Sequence, residues 1–121
     1  MTATTEAPIY TETYQPWFFF PYSVTVTKEK VSFGYYFWLF TKTVDRQQIE
    51  EALPLYDVKG LREFGGWGIK LRPKDGHWET GYIARNGGAV KLRLQDNGKD
   101  SYYVFTCSEP KKVADILNGK M

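Results

Sequence analysis

Few side chains in this 121-residue chain are of the types that do chemistry, and their spacing assembles little of it. There is one histidine, His77, and one cysteine, Cys107. A lone histidine removes most histidine-based metal sites and catalytic triads, and a lone cysteine forms neither an internal disulfide nor a thiolate cage. His77 stands beside Asp75 and Gly76, the setting of a surface-loop histidine with no positioned partner for general-base work. Cys107 ends an apolar run, where a buried, inert thiol is commonest; a helix starting near Glu109 is the one feature that favours a thiolate. Glu50-Glu51 and the pair Asp96 and Asp100 read as solvated charges rather than an acid-base couple. No catalytic residue, metal or cofactor is expected.

Two further patterns bear on binding. Gly65-Gly66-Trp67-Gly68 is no phosphate loop, since no GxxxxGK[ST] pattern is present and a strand pattern follows rather than a helix. It reads as a structural turn or bulge whose glycines let Trp67 fold inward. Between Gly65 and Lys99 there are seven Lys or Arg and three Asp or Glu, a local excess of +4. Lys70, Arg72, Lys91 and Arg93 take the outward positions of alternating segments, with Arg85 close by. Such a field suits phosphate, a lipid headgroup or an acidic protein, although exposed strands often carry these residues as a plain solvated face. The whole-chain charge is only +2, which argues against nucleic acid as the main partner.

The elements that must position these residues are mostly strands. Tyr22 to Thr27 alternates polar and apolar, and Val31, Phe33, Tyr35, Phe37 and Leu39 share one face of a second strand. Ile69 to Arg72, Thr80 to Arg85, Ala89 to Leu94 and Ser101 to Cys107 follow. They are separated by Pro73-Lys74-Asp75-Gly76, by a hairpin signal at Asn86-Gly87-Gly88 and by a turn at Asp96-Asn97-Gly98. Val90, Leu92 and Leu94 point inward. Residues 45–58 fit a short helix halted by Pro54 or an irregular strand, and the pattern leaves both open. Ser108-Glu109-Pro110 offers a capping side chain before a proline, and Val113, Ile116 and Leu117 form the stripe of a short helix stopped by Asn118-Gly119.

Thirteen of the 21 aromatic residues lie within the first forty positions. Seven of them fall between Tyr10 and Tyr22, more than a linker needs, so this stretch packs on the domain or on a partner. The longest apolar stretch, Phe33 to Phe40, is too short to span a membrane as a helix, and Met1 to Pro8 lacks the basic start of a secretory signal. A cytoplasmic location is the expectation.

Gly65-Gly66-Trp67-Gly68-Ile69-Lys70, then Gly87-Gly88-Ala89-Val90-Lys91-Leu92, the turn at Asp96-Asn97-Gly98 and Pro110 opening a helix together resemble bacterial-type pleckstrin-homology-like (PH-like) domains. The resemblance covers about Tyr22 to Asn118. It implies a mainly β fold: a bent antiparallel sheet or partly open barrel of about seven strands, capped by one C-terminal α-helix. Residues 1–21 then form an aromatic-rich arm and 22–121 the domain. It also implies a non-enzymatic binding or scaffold module for protein–protein association or assembly, the partner being another protein or a second copy. Tyr10, Tyr14, Trp17, Phe18 and Phe19 are the expected partner interface. The alternative is an anionic ligand, such as a phosphoinositide headgroup at a membrane surface, on the basic face of Lys70, Arg72, Arg85, Lys91 and Arg93. A third class, a small-molecule carrier or enzyme, needs a roomy, partly polar pocket.

Overall fold

The structure, a computed structural model, describes residues 8–17, 20–35, 40–58, 68–74, 76–84, 87–96 and 98–119. Among these, nine strands fall into two sheets. The first is a four-stranded antiparallel meander of β1 (Tyr10–Trp17), β2 (Phe20–Val26), β3 (Lys30–Tyr35) and β4 (Phe40–Asp45). A 3-10 turn (Arg46–Gln48) leads into the second, made of β5 (Ile49–Val58), β6 (Gly68–Lys74), β7 (His77–Ile83), β8 (Gly87–Asp96) and β9 (Lys99–Thr106) in the order β5-β8-β9-β7-β6. Among the described residues one helix, α1 (Pro110–Leu117), follows β9. The fold is mainly β with a C-terminal helix, and neither sheet closes on itself.

Alternation decides which face each strand buries. Val24, Val26, Val31, Phe33 and Tyr35 of the first sheet meet Tyr82, Val90, Leu92, Leu94 and Phe105 of the second. Phe33 stacks on Phe105 with centroids 4.4 Å apart and takes Tyr82 edge-on at 5.0 Å. The open question over residues 45–58 resolves as strand. β5 buries Ala52 against the helix, and the Asn118 side chain bonds both the N–H of Ala52 (3.1 Å) and its carbonyl (2.8 Å). The edge of β5 is thereby satisfied at that residue without another strand.

Three expectations change. The sheet begins at Tyr10, inside the segment read as an arm: β1 pairs with β2 from Tyr10↔Val26 to Trp17↔Phe20, and Tyr10 is a core residue. Asn86-Gly87-Gly88 does not turn a hairpin, because β7 and β8 are not neighbours; β9 lies between them, antiparallel to β8 and parallel to β7. A purely antiparallel sheet of about seven strands therefore does not describe the molecule. The reason lies in β9 itself. Val104 faces one side and Phe105 the other, both fully buried, and such a strand belongs in the middle of a sheet. Third, Ser108 does not cap α1. The N-cap position is Glu109, without a side-chain cap bond, and Ser108 gives both its N–H (2.9 Å) and its hydroxyl (3.2 Å) to Glu12 of β1.

Where the chain passes from β7 over the end of β9 to β8, backbone groups lose their ladder partners. Tyrosines of the first sheet supply replacements. The Tyr22 phenol donates to the Thr106 carbonyl (2.6 Å) and the Tyr35 phenol to that of Ile83, while the Ala84 N–H donates to the Thr106 hydroxyl (3.0 Å). Burial pushes the Tyr22 phenol well above its ordinary pKa and that of Tyr35 up to about 12, so both remain donors. Helix α1 docks through Val113, Ala114, Ile116 and Leu117 as the apolar stripe requires. The Arg46 guanidinium ties its end to the β2–β3 turn, donating to the carbonyls of Ile116 (2.5 Å) and Thr27 (3.0 Å).

Candidate functional site

The outer face of the second sheet carries a charged row that crosses all five strands. Cα partners run Glu51↔Arg93, Arg93↔Tyr102, Tyr102↔Glu79 and Glu79↔Arg72, one residue from each strand. Glu79 is its centre and is 0% exposed. Arg72 donates Nε to Oε1 at 3.0 Å and places its Nη2 3.0 Å from the same oxygen, while Lys91 Nζ closes on Oε2. His77 stacks on the Tyr102 ring at 3.6 Å, with its Nε2 3.6 Å from Glu79 Oε2. The Lys91 ammonium also lies 5.6 Å from the centre of that ring. Arg93 sits between Glu51 (3.8 Å) and Asp100 (3.9 Å).

Opposing forces act on the Glu79 carboxyl. Burial raises its pKa, but the hydrogen bonds and charges of Lys91 and Arg72 outweigh burial and hold it below the ordinary carboxylate value. A carboxylate pinned by two cations is a weak base and a poor acid near neutral pH. The row is an ion network rather than an acid-base machine.

Lys70, Arg72, Lys91 and Arg93 do share one face, as alternation predicts, but Arg72, Lys91 and Arg93 are already matched with carboxylates. Arg85, Gly65, Gly66, Trp67, Phe18 and Phe19, and the side chain of Trp17, lie outside the described residues. Tyr10 is buried, with its phenol on Glu12 and the Lys112 ammonium 5.7 Å from its ring centre, so it is spent on the core. Tyr14 is exposed on β1. His77 is the first residue of β7 rather than a loop histidine, and Cys107 is fully buried. No group of three metal-ligating side chains occurs among the described residues, and no helix among them is long and apolar enough to cross a membrane.

A feature outside the basic field stands apart from it. On the opposite face of the β6–β7 hairpin, Ile69, Leu71 and Trp78 are 42%, 66% and 65% exposed. Register places Ile69 level with Tyr82 and Phe105, and Pro73 level with Trp78. This is the face that forms the core farther along the sheet; here it runs past its cover. Among the described residues, β6 is also an edge strand, paired with β7 alone. The signal was available in the alternation of Ile69-Lys70-Leu71-Arg72, but which edge lay uncovered depends on strand order.

No protein-family model matches the chain, and no curated protein and no solved structure matches it either.

Proposed function

We propose that this protein is a non-enzymatic binding module that takes an extended segment of a partner protein along the free edge of β6. The observation that carries it is the contiguous exposure of Ile69, Leu71 and Trp78 on an edge hairpin. Exposed apolar side chains grouped on one surface mark interaction sites, and a free sheet edge offers main-chain hydrogen bonds to an added strand. The partner's chemistry follows from the two faces of β6. One side of its segment is apolar, to cover Leu71 and Trp78. The other carries acidic residues, because Lys70 has no ion-pair partner among the described residues. A second copy of β6 would set Lys70 and Arg72 against their like, which disfavours self-pairing at this edge.

A PH-like scaffold draws support from the strand-rich domain and its closing helix, and the parallel β7–β9 pair stands outside such a scaffold. An anionic ligand on the outer face is less well supported, since Glu79, Glu51 and Asp100 already occupy Arg72, Lys91 and Arg93.

The test is a terminally blocked peptide alternating Val and Glu, titrated against the full chain with amide spectra recorded. Saturable shifts at Ile69 to Arg72, lost in Leu71→Asp and weakened when Glu is replaced by Lys in the peptide, are expected. Equal binding by Leu71→Asp, or no shifts along β6, ends the proposal. Concentration-dependent dimers abolished by Leu71→Asp reassign the edge to a second copy.

A further inference from the structure

The edge strand β4 carries a lysine on the wrong face. Lys42 is the Cα partner of core Phe33 and lies two residues from buried Val44, so its side chain runs along the inner side of the sheet. Its ammonium sits 5.2 Å from the centre of the Tyr103 ring. There it borders a cleft of about 60 Å³, with Gln48 of the 3-10 turn, Ser101 and Tyr103 of β9 on the walls and Val44 and Leu94 as apolar lining. No acidic side chain lines this cleft. Among the described residues, none of the side chains of Lys42, Gln48 and Ser101 has a hydrogen-bond or ion-pair partner within the protein. The nearby Asp100 is engaged elsewhere, with Gln95 at 2.7 Å and Arg93 at 3.9 Å.

The half-buried Lys42, bordered by an amide and a hydroxyl that can each donate, faces no counter-charge in the cleft and so lacks an anionic acceptor. We propose that this cleft binds a carboxylate group, independently of the β6 edge. Lys42 supplies the charge, Gln48 and Ser101 supply neutral hydrogen bonds, and Val44 and Leu94 meet a short alkyl stem. A single lysine matches a monoanion better than a phosphate dianion, which draws on several cations or an arginine fork. The volume admits a group of a few heavy atoms and excludes a drug-sized ligand, which needs roughly 300 Å³ or more.

Inward lysines also guard sheet edges against pairing. The experiment separates the two roles. Sodium acetate and sodium propionate are titrated into the full chain at constant ionic strength, with sodium phosphate as the comparison anion and amide shifts as readout. Expected are saturable shifts at Thr43, Gln48 and Ser101, tighter for propionate, and at least roughly tenfold weaker in Lys42→Met. Ser101→Ala, which leaves the charge in place, should weaken binding less, and it keeps the test alive if Lys42→Met fails to fold. A free tripeptide that binds while its C-terminally amidated form does not would assign the carboxylate to a chain terminus; equal binding of the free acids alone would assign it to small acids. Non-saturating shifts, a phosphate response as strong as propionate, or self-association of Lys42→Met without any carboxylate response overturn the proposal.

Discussion

The Tyr22 phenol donates across 2.6 Å to the main-chain carbonyl of Thr106, tying the second strand of one sheet to the last strand of the other. Thr106 is the point at which β9 ends beneath the crossing from β7 to β8, and its hydroxyl accepts from Ala84 on that crossing. Tyr22 and Thr106 together therefore link β2 of the first sheet to the end of β9 and to Ala84 beyond the end of β7.

Removing only that oxygen should isolate its worth. Tyr22→Phe keeps the ring and its edge contact with Tyr35 at 5.3 Å, but leaves the Thr106 carbonyl buried without its donor. The expected loss is about 1–3 kcal/mol in urea unfolding, the penalty for an orphaned buried acceptor. Tyr56→Phe, at a site 62% exposed, should lie within about 0.5 kcal/mol of the parent. Equal effects from the two substitutions would contradict the tie.

Glu79 sets an acid limb of the stability profile. Its folded pKa is depressed, so the unfolded chain takes up the proton first as pH falls. The stabilisation is fully present above the ordinary glutamate pKa, about 4.3, and drains away as pH drops through the lower folded value. Glu79→Gln should be less stable by about 3–5 kcal/mol at pH 7, because Arg72 and Lys91 lose their buried counter-charge. Its melting temperature should also depend less on pH below 4.3 than the parent's. Parallel profiles for the two proteins would sink this account.

Gly88 is fixed by close approach. A Cβ there would lie 2.6 Å from the Cys107 carbonyl oxygen and 2.8 Å from Pro110 Cδ, where β8 passes beneath the start of α1. The backbone on one side and a proline ring on the other leave no flexible atom to yield. Gly88→Ala should cost about 1–3 kcal/mol and lift the helix, seen as faster amide exchange at Val113 and Ala114. Unchanged exchange would show that the helix start can shift freely.

How much of this was legible depends on whether a signal is local. Val24 and Val26, or Val90, Leu92 and Leu94, announce their faces by alternation, and Pro110 with Asn118-Gly119 brackets the helix. Glu79 announces nothing. Between Trp78 and Thr80 it looks like any solvated strand residue, and it becomes the centre of a network only because Arg72, Tyr102 and Lys91 arrive on three other strands. Strand order is the missing link. The run Tyr102-Tyr103-Val104-Phe105 held a hint of it, since apolar side chains on both faces ask for a central strand, whereas a meander leaves its last strand at the edge. Turn residues mark where a chain can reverse. They do not say which strand it will then lie beside, so Asn86-Gly87-Gly88 read as a hairpin although β9 fills the gap.

Cys107 should be silent as a thiol. It is fully buried between the end of β9 and α1, and its N–H is held by the Gly88 carbonyl at 3.0 Å. Labelling by a soluble disulfide reagent should track global unfolding, slowing as stability rises and becoming complete in denaturant. Stoichiometric labelling within seconds under native conditions would mean that this end of the core opens on its own.

The first strand decides whether the aromatic N-terminal stretch belongs to the fold. Tyr10 buries its ring in the core, β1 runs the length of β2, and the Glu12 carboxylate accepts from Ser108 just before α1. Burying Tyr10 contributes about 1.5–3 kcal/mol and the solvent-exposed bonds from Ser108 to Glu12 about 1 kcal/mol more, against a total stability of about 5–15 kcal/mol for a domain. Deleting residues 1–16 should therefore weaken or abolish the cooperative thermal transition, and should expose the outer side of β2 to pairing and aggregation. Glu12→Gln provides the milder test: it keeps the strand and an acceptor oxygen but removes the charge assistance, so it should lower the midpoint without removing the transition. A truncated chain that melts like the parent would return the whole stretch to the role of a free arm, available to a partner and unnecessary to the domain.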